Sequence, residues 1–268
     1  MAFVEADGIR ICYEIAGAGP RLLYVSGTAG DLRKKPNALS GPFPGRFEVL
    51  AFDQRGMGRS DKRDAPYTMA MYGDDAAALM DAAGWRDALV IGVSFGGMVV
   101  QELALRHPDK VKRLVICCAS AGGQGGSSYP LHEIMHLSLE ERVRRSIARN
   151  DVRRDEAWQC NNVQAYAKLF EDGIAAANFA ADEPGHGMGA RRQLEARAGH
   201  DTWDRLPRLS MPAMVCGGRH DGQATPQVVR KLAERIPGAR LEFFEGGHLF
   251  LNEDPEAVPA VAAFLLGS

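Results

Sequence analysis

The sequence predicts an α/β fold, a mostly parallel doubly wound sheet with an inserted helical cap, and three observations lead there. Short apolar, β-branched-rich runs recur with helical stretches between them, the pattern of strands laid parallel and joined by crossover helices. Between Ser120 and Leu209 that alternation stops, and a glycine-rich loop (Gly122-Gly123-Gln124-Gly125-Gly126) leads into three or four amphipathic helices with no strand signal. The chain has 268 residues, 46% hydrophobic and 25% charged, enough for one large domain with a substantial core and unlike a disordered or fibrous chain.

Taken in order, the chain opens on a hairpin turned at Ala6-Asp7-Gly8. Strands are expected at 22–26, 47–52, 88–93, 113–118, 213–217 and 240–244. A helix over 97–106 buries Val99 and Leu103 on one face and stops at His107-Pro108, where proline cannot continue the hydrogen-bond ladder. Another runs over 226–235 and ends before Pro237-Gly238. The charged run of Glu140, Glu141, Arg142, Arg144 and Arg145 reads as a solvated helix face.

Gly92-Val93-Ser94-Phe95-Gly96-Gly97 fits the pattern G-x-S-x-G. The apolar run Leu89-Val90-Ile91 enters it and a helix leaves it, so Ser94 is expected on a sharp strand-turn-helix, with small neighbours that let the backbone bend. A serine hydroxyl is a weak nucleophile at neutral pH and needs a histidine base oriented by an acid. His248, in Gly246-Gly247-His248, follows the last expected strand, and Asp221, in Gly217-Gly218-Arg219-His220-Asp221, follows the one before. Both fall at strand C-terminal ends, where the sites of parallel sheets collect. The competing readings are a capping histidine and a turn aspartate. The chain order Ser94, Asp221, His248 favours a triad, and residues 114–132 hold no Asp or Glu that could replace Asp221. For the oxyanion of acyl transfer, the backbone N–H of Phe95 is one expected donor. The N–H of Thr28, in Tyr24-Val25-Ser26-Gly27-Thr28-Ala29-Gly30, is the second, with the Thr28 hydroxyl as a possible third.

On these motifs nearly the whole chain resembles the α/β-hydrolase superfamily, in particular bacterial capped esterase and enol-lactonase-like serine hydrolases. Asp53-Gln54-Arg55-Gly56-Met57-Gly58-Arg59-Ser60 is similar to the D-x-R-G-x-G-x-S loop common there, which implies that Asp53 and Arg55 are loop ties and not catalysts. The resemblance implies a core of residues 1–120 and 208–268, a helical cap of 121–207 between the sixth and seventh strands, and no cofactor. Ser26-Gly27 departs from the His-Gly that many relatives carry at the oxyanion loop. Similar dehalogenases and epoxide hydrolases carry an aspartate where this chain has Ser94, which argues against those activities.

The function expected is cofactor-free hydrolysis of a small carboxylic ester or lactone through an acyl-enzyme on Ser94. Two alternatives stay open: carbon-carbon bond hydrolysis of a diketone-like substrate by the same triad, and a ligand-binding receptor with a slow triad. Met135, Trp158, Tyr166 and Met188 are the cap residues expected to line a mainly apolar pocket. His132-Glu133-Ile134-Met135-His136 matches H-E-x-x-H, which on a helix would set two imidazoles and a glutamate base around zinc. It lacks the G-x-x-H continuation that supplies a third ligand, so no metal is expected, and the segment reads as a cap helix starting at Pro130 with His132 or His136 towards the pocket.

The remaining signals exclude classes of partner. A net charge of −2 gives no attraction for nucleic acid or an anionic membrane. None of the glycine clusters reads as a nucleotide loop. Five cysteines without paired metal-ligand spacing read as reduced thiols, and the acidic start lacks the basic and apolar regions of a secretion signal, so a cytoplasmic location is expected.

Overall fold

The computed structural model describes residues 1–267. Its centre is an eight-stranded sheet in the order β1-β2-β4-β3-β5-β6-β7-β8. The expected opening hairpin is formed by β1 (Ala2–Ala6) and β2 (Ile9–Ala16), with Asp7 and Gly8 both at positive φ in the turn. β2 lies antiparallel to β4 (Glu48–Phe52). Every other pairing is parallel, through β3 (Arg21–Val25), β5 (Ala88–Val93), β6 (Val111–Cys117), β7 (Ala213–Gly218) and β8 (Arg240–Phe244). All six strands expected after the hairpin are present, with ends within two residues of those expected. β5 and β7 are buried along almost their whole length, which is why their sequences are continuous apolar runs and not alternating ones.

Helices pack around this sheet. α1 (Met69–Ala82) starts on Thr68, whose hydroxyl accepts from the Met71 N–H. Gly73, Asp74 and Asp75 interrupt its apolar stripe, so periodicity does not announce it. α2 (Phe95–Arg106) begins two residues before the expected start and is buried from Phe95 through Ala104. Gly96 and Gly97 discourage a helix on propensity alone, and tertiary packing overrides them because the helix must lie almost against β3.

The connection from β6 to β7 is helical, with α3 (Leu139–Asn150), α4 (Glu156–Asn161), α5 (Val163–Asn178) and α6 (His186–Ala198) and no strand. α3 is capped by Ser138, which accepts from the Glu141 N–H, and α4 by Asp155, which accepts from the Trp158 N–H. The expected charged face holds: Arg145 pairs with Glu141 one turn away, both half exposed. α7 (Pro226–Arg235) has its expected limits and turns Val229, Leu232 and Ala233 inward; α8 (Phe250–Glu253) and α9 (Ala257–Leu266) close the chain. Ile11, Leu22, Leu23, Leu50 and Ile91 are fully buried at the centre, each contributing about 1.5–3 kcal/mol. All five cysteines are free. Among the described residues no helix is long and apolar enough to cross a membrane.

Candidate active site

Ser94 joins β5 to α2 with φ 56° and ψ −116°, a conformation that side-chain-bearing residues avoid and that costs on the order of 1–3 kcal/mol. Packing on both sides enforces it. A Cβ on Gly92 would overlap the Gly96 carbonyl oxygen, and one on Gly96 would overlap the Val25 carbonyl oxygen, so the turn closes only with glycine at both places. The Ser94 N–H is tied to the Cys117 carbonyl on β6 at 2.9 Å.

Ser94, Asp221 and His248 are brought together from three loops at the C-terminal edge of the sheet. Ser94 Oγ lies 2.9 Å from His248 Nε2, and His248 Nδ1 lies 2.7 Å from Asp221 Oδ2. A carboxylate oxygen accepts, so the second contact is made by an N–H on Nδ1, which turns Nε2 towards the serine as an acceptor. The other Asp221 oxygen accepts from the backbone N–H groups of Gln223 (2.7 Å) and Ala224 (2.9 Å), which fixes the carboxylate. Asp221 is 2% and His248 8% exposed. The C-terminal end of α3 is stitched to both loops. His248 N–H donates to the Asn150 carbonyl, Gly222 N–H to the Arg149 carbonyl, and Val152 N–H to the His220 carbonyl. Cys118 sits against the same pair of side chains. Burial, aided by the Asp221 charge, pushes its thiol well above the ordinary range, so it stays protonated and offers no rival nucleophile.

Gly27 packs against Ser94, where an added Cβ would lie 3.5 Å from the serine Cβ. The loop that follows it is held from two sides: Ala29 N–H donates to Gln193 Oε1 on α6 (2.8 Å), and Gln54 Nε2 donates to the Ser26 carbonyl (2.7 Å). Among the described residues, neither the Thr28 nor the Phe95 N–H has an acceptor within the chain. For Phe95 this follows from its place as the first residue of α2. The Thr28 hydroxyl is buried and likewise without a partner. A cavity of about 310 Å³ opens on this loop, lined by Thr28, Val93, Phe43, Leu251 and Asn252 among others.

Over residues 20–255 the sequence matches the family described as alpha/beta hydrolase fold. The chain belongs to that family. Among curated relatives of this hydrolase, a protein named as a carbamate hydrolase, RutD, from Azorhizobium caulinodans is 29% identical over 269 residues, covering 96% of this chain and 94% of its own. A poly(3-hydroxyalkanoate) depolymerase of Ectopseudomonas oleovorans is 30% identical over 228 residues, covering 82% and 75%. Among solved structures, the enol-lactonase from Burkholderia xenovorans LB400 superposes with a TM-score of 0.79 over the whole of both chains at 23% identity, a likeness of fold.

In this hydrolase the D-x-R-G-x-G-x-S loop serves as structure. Asp53 accepts from the backbone N–H groups of Leu32 (2.6 Å) and Arg59 (3.0 Å), and Arg55 makes a two-bond pair with Asp75 (2.6 and 2.7 Å), both side chains buried. The zinc-like motif is not on the expected helix. Residues Leu131–Ile134 form a single 3-10 turn with turn residues after it, so His132 and His136 do not share an α-helical face. Pro130 in front and the Leu137-Ser138 cap behind leave too few residues for an α-helix.

The four expected pocket residues scatter over the helical connection. Met135 is 41% exposed after the 3-10 turn, Trp158 lies on α4, Tyr166 on α5 with its hydroxyl 3.4 Å from Arg144 Nη1, and Met188 on α6. None of them lines the 310 Å³ cavity. Sequence reasoning missed Gln223 and Arg149. Gln223 Nε2 lies 2.8 Å from His248 Nε2 and 3.5 Å from Ser94 Oγ, and its Oε1 accepts from Arg149 Nε at 3.2 Å. The position of Gln223 two residues after Asp221 was the available signal. Arg149 had none, being one of many charged residues on α3.

Proposed function

We propose that the protein is a cofactor-free serine hydrolase that cleaves a small carboxylic ester or lactone through an acyl-enzyme on Ser94. The observation that carries this reading is the 2.9 Å contact between Ser94 Oγ and the histidine nitrogen opposite the Asp221-bonded one. Ser94 Oγ attacks the substrate carbonyl carbon while His248 Nε2 takes its proton, and Asp221 keeps the ring oriented and stabilises the imidazolium. The negative charge arising on the carbonyl oxygen is met by the N–H of Phe95, at the positive end of α2, and by the N–H of Thr28 in the loop after β3. His248 then gives its proton to the departing alkoxide, leaving the acyl group on Ser94. A water gives a proton to His248 as it attacks that ester, and His248 returns the proton to the departing Ser94 Oγ, releasing the acid and the free serine.

The names of the relatives support this class: a hydroxyalkanoate polymer is joined by ester bonds, and a carbamate also breaks at an acyl carbon. The test is hydrolysis of a short p-nitrophenyl ester and of a simple enol lactone by wild type and Ser94→Ala. Turnover by the wild type that falls at least about a thousandfold in the variant is expected. Equal rates in the two proteins would refute the role of Ser94.

A further inference from the structure

Three consecutive peptide groups form the turn after β3, and the middle one carries the N–H assigned to the oxyanion. That group, between Gly27 and Thr28, has no acceptor within the chain for its N–H among the described residues. Both of its neighbours are held by buried glutamines. The Ser26 carbonyl accepts from Gln54 Nε2 at 2.7 Å, and the Ala29 N–H donates to Gln193 Oε1 at 2.8 Å. A carbonyl accepts and an N–H donates, so these partners fix which way round each side-chain amide lies. Gln54 is 1% and Gln193 0% exposed, and neither lines the 310 Å³ cavity that Ser26, Gly27, Thr28 and Ala29 face. The two glutamines therefore act on the turn and not on a substrate.

The turn needs such a hold. Ala29 has φ 57°, left-handed backbone that an alanine avoids. Gly30 N–H closes the turn on the Gly27 carbonyl at 3.2 Å, and a Cβ on Gly30 would lie 2.8 Å from the Ser26 Cβ. Without Gln193, the peptide between Thr28 and Ala29 is free to rotate towards negative φ, and the direction of the Thr28 N–H is no longer set from that side.

Both glutamines stand on one base. Gln54 belongs to the D-x-R-G-x-G-x-S loop, and Gln193 lies on α6 one helical turn after Gly189. Gly189 meets Gly56 of the same loop backbone to backbone: a Cβ on Gly189 would lie 1.9 Å from the Gly56 carbonyl oxygen. Asp53, next to Gln54, accepts the Leu32 N–H at 2.6 Å and ties down the chain beyond the turn. The far ends of the two amides, Gln54 Oε1 and Gln193 Nε2, are buried without a partner among the described residues. A half-paired buried amide adds little to stability, whereas an oxyanion donor works only when it is aimed at the developing charge.

We propose that Gln54 and Gln193 are positioning residues of the oxyanion hole, which grip the Gly27–Thr28 peptide by its two neighbours and aim the Thr28 N–H at the carbonyl oxygen. The proposal rests on the reading of Ser94 as nucleophile and of the Thr28 N–H as oxyanion donor. It makes α6, through Gln193, a part of the helical connection on which turnover depends.

The test uses Gln193→Met and Gln54→Met, which keep the length of the side chain and remove its hydrogen bond, and Gln193→Glu, whose carboxyl oxygen still accepts from Ala29. Each is compared with the wild type for hydrolysis of a short p-nitrophenyl ester, inhibition by phenylboronic acid and thermal unfolding. The boron bonds to Ser94 Oγ as His248 takes the serine proton, and the tetrahedral adduct sets an oxygen where the oxyanion forms. In each Met variant kcat is expected to fall about tenfold to a hundredfold with KM within about threefold, and the inhibition constant of the boronate to rise by a similar factor. Gln193→Glu is expected to recover most of kcat, and the Met variants to unfold within about 4 °C of the wild type. Full kcat in the folded Met variants would overturn the assignment. So would a loss of kcat with boronate inhibition unchanged, or Gln193→Glu no better than Gln193→Met, since either result marks a structural role alone. If Gln193→Met does not fold, Gln54→Met, in the core loop, decides by the same measurements. A Ser94→Ala protein that hydrolyses the ester as the wild type does rejects the nucleophile instead; an inactive Ser94→Ala beside fully active Met variants rejects the two glutamines only.

Discussion

The turn around Ser94 and the helices α4 and α5 belong to one chain but are packed in opposite ways. From Phe95 through Ala104 every residue of α2 is buried, and glycines at 92 and 96 bring three segments of backbone into contact. α4 and α5 contain no buried residue at all, and Val163 at the start of α5 is 65% exposed. The first region holds a strained serine in one conformation because its neighbours leave no other. The second is constrained on one face only, so its sequence and position can vary without disturbing the turn. The C-terminal end of α3 is the exception in the helical connection: its carbonyl groups accept from the loops carrying Asp221 and His248.

The strongest way to break this comparison is to remove the nucleophile while leaving the turn intact. Ser94→Ala is expected to lower ester hydrolysis by at least about a thousandfold with an unfolding temperature equal to or above the wild type, since the strained serine contributes chemistry and not stability. Asp221→Asn should come next, with a fall of about a thousandfold or more in kcat from a wrongly oriented imidazole, read by steady-state kinetics. Gly96→Ala attacks the turn itself. The added methyl has no space against the Val25 carbonyl, and a loss of more than about 3 kcal/mol is expected in denaturant unfolding.

His200 tests the packed end of the helical connection. It donates from Nε2 to the Ser120 carbonyl and is buried neutral, with its pKa lowered from 6.5 to about 4 chiefly by desolvation. Below pH 6.5 the unfolded chain takes up a proton that the folded chain refuses until about pH 4, so stability falls as pH drops through that window, by up to about 3 kcal/mol. His200→Gln should flatten that part of the stability profile, measured by denaturant midpoints between pH 7 and 4.5. The smallest effect is expected on α5, where Val163→Ser should change stability by less than about 0.5 kcal/mol and leave ester turnover as it was. A large loss there would show that α5 is held by contacts that its exposure does not reveal.

What was legible in the sequence divides along the same line. The strands, the serine turn and the three residues of the triad geometry could be found because each depends on local signals: continuous apolar runs, glycines beside Ser94, and loops placed directly after strands. α2 was read two residues short because glycine propensity opposed a helix that tertiary packing imposes. The 130–138 segment was read as a helix from a motif whose flanking proline and serine cap shorten it to one 3-10 turn. Gln223 was passed over although it lies two residues after Asp221. Arg149 was not legible because its position depends on how α3 returns to the sheet, and no spacing in the sequence encodes that return. The same holds for Met135, Trp158, Tyr166 and Met188, chosen for residue type from a region where packing decides little.

The central claim, an activated serine at position 94, is tested most directly by intact-mass labelling with a fluorophosphonate followed by peptide mapping. A single adduct on Ser94, formed by the wild type and lost in both Ser94→Ala and His248→Ala, is the predicted result. An unmodified wild-type protein, or an adduct on another residue, would contradict it.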